Sequence, residues 1–196
     1  MGFTTGGNGL SVCLVLVLSG KLAQSSPLSK CPVLHTRWNQ MIQTNLNHLC
    51  RTAGQFPLQC ISETTDFRFP LKALNALESD GAVIIVREVL QQSLNVLGKD
   101  HPWGAWNATC LESLQSDLYQ QTKQLEACAK ETQGGKLANS ANGAPSPSPI
   151  KVKRYFQRMN SFLATNQQSR CAWELVHLEL KGCFLFITQL LNKLKE

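Results

Sequence analysis

A chain of 196 residues that is 43% hydrophobic can bury one core of ordinary domain size, and a formal net charge of +6 makes it cationic. Eight cysteines, none in C-x-x-C spacing, exclude the common zinc and redox motifs and point to disulfides. No H-E-x-x-H, Gly-rich phosphate loop, G-x-S-x-G or nucleic-acid motif is present, so no catalytic residue, metal, cofactor or nucleic-acid partner is expected.

The chain opens with an apolar run, Leu10 to Gly20. It is too short to span a bilayer but suits the core of a secretory leader, and Ala23-Gln24-Ser25 has the small-x-small pattern of a cleavage site. Residues 1–25 are therefore expected to be a signal peptide and 26–196 a single secreted, extracellular domain. Cleavage would remove Cys13 and leave Cys31, Cys50, Cys60, Cys110, Cys128, Cys171 and Cys183, an odd number in an oxidising compartment. Asn107-Ala108-Thr109 is a sequon, so Asn107 is the expected glycosylation site.

Five segments have helical periodicity. Trp38, Met41, Ile42, Leu46 and Leu49 form an apolar stripe from about Cys31 to Cys50. Arg51 to Pro70 has Gly, two Pro and no period, and reads as a long loop. Its Phe56, Leu58, Ile61, Phe67 and Phe69 predict that it lies against the core. A second helix is expected from Leu71 to Leu97, striped by Val86, Val89, Leu90, Leu94 and Leu97. The third carries Leu111, Leu114, Leu118 and Leu125, starts at an Asn107 or Thr109 N-cap and ends near Lys130.

Thr132 to Pro149 is rich in Gly, Ser, Asn and Pro, a composition expected to give a mobile connection. The fourth helix carries Val152, Tyr155, Phe156, Met159, Phe162 and Leu163. The fifth, from Ala172 almost to Glu196, is striped by Trp173, Val176, Leu180, Cys183, Ile187, Leu190 and Leu194. No segment alternates as a strand does. The two long connections let successive helices run parallel, which favours an all-α up-up-down-down cytokine-type bundle of five helices with long crossover loops.

Charge is uneven along the chain. Between Thr132 and Trp173 there is no acidic residue, while Lys136, Lys151, Lys153, Arg154, Arg158 and Arg170 are basic. Such a cluster suits an acidic protein or a sulfated glycan such as heparan sulfate, or is simply a solvated helix face. The histidines His35, His48, His101 and His177 are expected at the surface or capping helices.

Four motifs carry a resemblance. "YFQRMNSFL" followed by "CAWELVHLEL" resembles the penultimate and final helices of the type I interferons. "CISETTDFRFP" resembles that family's loop after its first helix, and "LYQQTKQLEAC" the end of its third. "WNQMIQTNLNHL" and the extra Cys183 are more similar to the kappa branch than to the alpha branch. The resemblance covers Cys31 to about Lys195.

The resemblance implies disulfides Cys60–Cys171 and Cys31–Cys128, each closing a loop on the order of 100 residues and contributing up to ~4–5 kcal/mol. Cys50–Cys110 is a candidate third bridge, because the end of the first helix and the start of the third share one end of such a bundle. Cys183, on the apolar stripe, is expected as a buried free thiol. The resemblance also implies a monomeric secreted antiviral cytokine, not an enzyme, whose partners are both chains of the interferon alpha/beta receptor, with no stable membrane insertion. The high-affinity chain would meet Ile61, Thr64, His177, Leu178, Lys181 and Gly182, and the second chain Leu94, Asn95, Tyr119 and Lys153. Thr64, His177 and Gly182 stand where the alpha pattern has arginines, so bidentate guanidinium contacts are lost there. Leu178 and Leu185, seven residues apart, are candidate exposed apolar anchors. The alternatives are a type III interferon or interleukin-10-like ligand, or a basic membrane-active helical protein.

Overall fold

The computed structural model describes residues 34–53, 55–75, 77, 79–99, 106–133 and 147–193. The expected leader and Cys31 lie outside them. Among the described residues six α-helices are formed: α1 Leu34–Thr52, α2 Leu71–Leu74, α3 Ser79–Leu97, α4 Ala108–Gln133, α5 Pro147–Thr165 and α6 Arg170–Lys193. A 3-10 helix, Leu58–Glu63, sits in the connection from α1 to α2. No strand occurs among the described residues.

The single helix expected over Leu71–Leu97 is two. Leu71–Leu74 closes one turn, with the Asn75 N–H donating to Leu71 O at 2.9 Å. The next helix begins at Ser79-Asp80, residue types that favour helix starts over helix interiors. The connection expected from Thr132 to Pro149 is also shorter at both ends. α4 runs to Gln133, and α5 already begins at Pro147. Pro147 and Pro149 fit a first turn because the N–H groups they lack would have no intrahelical partner there.

Long-range hydrogen bonds give the helix directions. Asn45 faces Gln121, His48 faces Asp117 and the Thr52 carbonyl accepts from the Asn107 N–H, so α4 runs antiparallel to α1. Asn39–Asn192, Gln43–Thr188 and Leu49–His177 make α6 antiparallel to α1 as well. The Leu97 carbonyl, at the end of α3, accepts from Gln115 Nε2 early in α4, which sets α3 parallel to α1. α1, α3, α4 and α6 thus form an up-up-down-down bundle, and α5 packs against α3 as a fifth helix.

Two helix starts are capped as side-chain chemistry dictates. Asn107 Oδ1 accepts from the Cys110 N–H at 2.9 Å, and Ser169 Oγ accepts from the Ala172 N–H at 3.2 Å. The core contains Trp38, Ile42 and Leu49 of α1, Val89 and Leu90 of α3, Leu114 and Leu118 of α4, Phe156 and Met159 of α5, and Trp173, Phe184 and Ile187 of α6. Across α1 and α4, Asn45 and Gln121 exchange two hydrogen bonds at 2.7 and 3.0 Å while fully buried. Each amide satisfies the other, so two polar groups enter the core without an orphan at that contact.

Candidate binding surface

The segment after the 3-10 helix is extended and apolar, and it is tied down at three points. The first is the disulfide Cys60–Cys171, with Cα atoms 5.1 Å apart and 111 residues between them in sequence. The second is aromatic: Phe67 packs edge-on against Phe162, and Phe69 against Tyr155 and Phe186, with centroids 5.0–5.2 Å apart. The third is Arg158, whose Nε and Nη2 donate to the carbonyls of Phe67 and Arg68 at 2.8 and 3.0 Å. Arg68 adopts a left-handed backbone, φ 55°, and its N–H donates to Asp66 Oδ1 at 2.7 Å. The "DFRFP" loop is therefore a fixed wall beside α6.

Between this wall and the outer face of α6 lies a groove of about 310 Å³. Leu71, Leu178 and Leu185 stand on it 47%, 42% and 46% exposed, a high fraction for leucines in one cluster. Phe69, Tyr155 and Phe186 form its inner side. Glu179 is its only charged lining residue and accepts a hydrogen bond from the Tyr155 hydroxyl, which in turn accepts one from Cys183 Sγ at 3.6 Å. Burial pushes the Cys183 thiol up to about 12 and the Tyr155 phenol upward as well, so both stay neutral hydrogen-bond donors.

The residues named from the sequence fall into distinct places. Leu178 and Gly182 line the groove, and Lys181 is exposed beside them. Ile61, 53% exposed, projects from the 3-10 helix that the disulfide fastens to the start of α6. Thr64 ends that helix, its hydroxyl donating to Ile61 O at 2.9 Å. His177 takes the capping role expected of the histidines but is buried, away from the surface where a receptor contact was expected. It is 7% exposed, and its Nε2 donates to the Leu49 carbonyl at 2.8 Å, closing the last turn of α1. It meets Trp106 edge-on, 5.7 Å between ring centroids, and serves as an interior cap.

On α3 and α4, Asn95 and Tyr119 are exposed, while Leu94 is partly buried against the core. Lys123 sits over the Tyr119 ring at 5.8 Å. Lys153 is exposed and lies 3.9 Å from Glu88. Leu71, the third leucine of the groove, was not among the candidates, since only the folded wall brings it opposite α6.

The cysteines need one correction. Cys128 is disulfide-bonded, and its expected partner Cys31 lies outside the described residues. Cys50 and Cys110 are free thiols instead of a third bridge. The ends of α1 and α4 do meet, through Thr52 O and the Asn107 N–H at 2.8 Å. Yet Cys50 follows the buried Leu49 on the helix and so turns to solvent, whereas Cys110 is half-buried in the first turn of α4. A shared end does not give a shared face. Cys183 is a buried free thiol.

Comparison with known proteins agrees with this architecture. Residues 34–194 match the interferon alpha/beta domain model. The chain is 32% identical to cattle (Bos taurus) interferon tau-1 over 154 residues, covering 78% of this chain and 77% of that one. It is 31% identical to human (Homo sapiens) interferon alpha-10 over 183 residues, covering 92% and 93%. Among solved structures, zebrafish interferon 2 superposes with a TM-score of 0.63 at 25% identity, covering 77% of this chain and 97% of that one. With matched helices, matched motifs and a family model spanning nearly all the described residues, the chain belongs to the interferon alpha/beta family and is a type I interferon, a helical cytokine and not an enzyme.

Proposed function

We propose that this interferon is a secreted antiviral cytokine that bridges the two chains of the interferon alpha/beta receptor, bringing their associated Janus kinases together to phosphorylate STAT proteins. The observation that carries the reading is the cluster of Leu71, Leu178 and Leu185 on a rigid groove at the outer face of α6. Exposed apolar anchors around a preformed depression are what a high-affinity protein contact needs. The exposed Ile61 and Lys181 are assigned to the same receptor chain, and Asn95, Tyr119 and Lys153, exposed on α3, α4 and α5, to the other. With Thr64 and Gly182 where the alpha pattern has arginines and His177 turned inward, the groove contact is apolar rather than guanidinium-led.

The membrane-active reading is disfavoured by packing. Val152, Tyr155, Phe156 and Met159 of α5 and the apolar stripe of α6 are buried in the core, and no described helix is long and apolar enough to cross a membrane.

The test is STAT phosphorylation by the oxidised chain 26–196 on matched cells with and without each receptor chain. The response is expected only where both chains are present. A response in cells lacking either chain, or silence from folded protein on cells of the matched species, rejects the proposal.

A further inference from the structure

The solvent face of α5 carries a basic stripe that does not include Lys153, the α5 residue assigned above to the second receptor chain. Lys151, Arg154 and Arg158 lie at steps of three and four residues, so they share one helix stripe about 10 Å long. All three are exposed, and the described helix, Pro147–Thr165, contains no acidic residue. Arg158 extends the stripe sideways. By holding the carbonyls of Phe67 and Arg68 it fixes the loop so that Arg68, also exposed, stands beside it. Asp66 is the carboxylate on that turn; it accepts the Arg68 N–H at Oδ1 and remains an anion at the Arg68 end of the strip, leaving the Lys151 and Arg154 end without one.

No described carboxylate pairs with Lys151, Arg154 or Arg68. Lys153 lies two positions off the stripe, on the side where it approaches Glu88. Like charges at positions i and i+4, such as Arg154 and Arg158, oppose helix stability by a few tenths of a kcal/mol. The fold thus keeps Lys151 and Arg154 on the exposed stripe with no ion pair to a described carboxylate. An outside anion would relieve the repulsion.

The shape narrows the class of that anion. The stripe is linear, its cations following one exposed face of the helix. The aromatic rings Tyr155 and Phe156 of α5 are buried and Phe162 is engaged edge-on by Phe67, leaving none there free to stack on bases, and its apolar stripe is committed to the core, leaving none to enter a bilayer. We infer that Lys151, Arg154, Arg158 and Arg68 form a binding strip for a sulfated polysaccharide chain of the cell surface, separate from the groove on α6.

The test uses the full mature chain and immobilised heparin, with affinity measured across a salt series. The Lys151→Glu/Arg154→Glu variant is compared with Lys72→Glu/Lys181→Glu, which makes the same change in net charge at exposed lysines outside the strip. The strip variant should lower the slope of log affinity against log salt by about one unit per removed cation, as phosphate contacts do in nucleic-acid complexes, and weaken binding about tenfold or more at 0.15 M salt. The control should lose much less. Lys151→Ala/Arg154→Ala, which introduces no new charge, repeats the test if the first variant unfolds by circular dichroism. Equal losses in strip and control variants, equal binding to desulfated heparin, or capture by anionic lipid vesicles but not by heparin would each overturn the inference.

Discussion

His177 reaches from α6 to the last turn of α1, placing its Nε2–H 128 residues away on the Leu49 carbonyl at 2.8 Å. Because a carbonyl can only accept, the hydrogen bond selects the tautomer with its proton on Nε2. One side chain therefore closes an otherwise open helix end and joins the two antiparallel helices, with Trp106 edge-on both to its ring and to Trp173, at 5.7 and 5.4 Å between centroids.

This junction should weaken in mild acid. Burial holds His177 below its ordinary value of 6.5, helped by Lys181 and opposed by the Leu49 hydrogen bond and Glu174. Between the lowered folded value and 6.5 the unfolded chain binds the extra proton, so stability rises with pH through that window and is lost as pH falls below about 6.5. Thermal melts from pH 7.5 to 5 should show the decline, and His177→Gln should flatten it. An unchanged pH profile in the variant would contradict the assignment.

The Asn45–Gln121 pair offers a cleaner energetic test. Asn45→Leu alone strands the buried Gln121 amide and should cost about 1–3 kcal/mol, whereas Asn45→Leu with Gln121→Met removes both partners and should recover much of the loss. Chemical denaturation of the four proteins in the cycle reads the coupling directly.

Gly182 lies in the body of α6, and a Cβ built there meets nothing within 4 Å. Gly182→Ala should therefore raise stability by about 0.5–1 kcal/mol through helix propensity alone. Leu178→Ala should leave the melting temperature nearly unchanged, because the side chain is 42% exposed, while weakening binding to the high-affinity receptor chain about tenfold. Surface plasmon resonance beside a melting curve separates the two effects.

The thiols should react in order of exposure. Native protein treated with iodoacetamide is expected to label Cys50 first and Cys110 more slowly, with Cys183 protected until unfolding by full burial and a thiol pushed up to about 12. Mass spectrometry of the non-reduced digest would contradict the structure if Cys50 and Cys110 were found linked.

Much of this was legible in the order of residues. Local periodicity marked the helices because an amphipathic helix must repeat its apolar side chains every three or four positions, and Trp38, Ile42, Leu114, Leu118, Phe156 and Trp173 are buried as that rule requires. The buried Phe67 was likewise signalled by an apolar loop. Family motifs added Cys60–Cys171, which spacing alone could not have paired.

Which way a side chain turns at a junction was decided by the tertiary structure alone. His177 and Leu178 are neighbours in sequence, and the 100° step between them sends one to the Leu49 carbonyl and the other to solvent. Cys50 and Cys110 reach the same end of the bundle on unmatched faces, and Leu71 joins Leu178 and Leu185 only because Arg158 and the aromatic contacts hold the intervening loop against α6. Periodicity is a property of one element and can be read from its own residues. The groove and the junction arise from the angle and register between elements, which packing of the whole core sets.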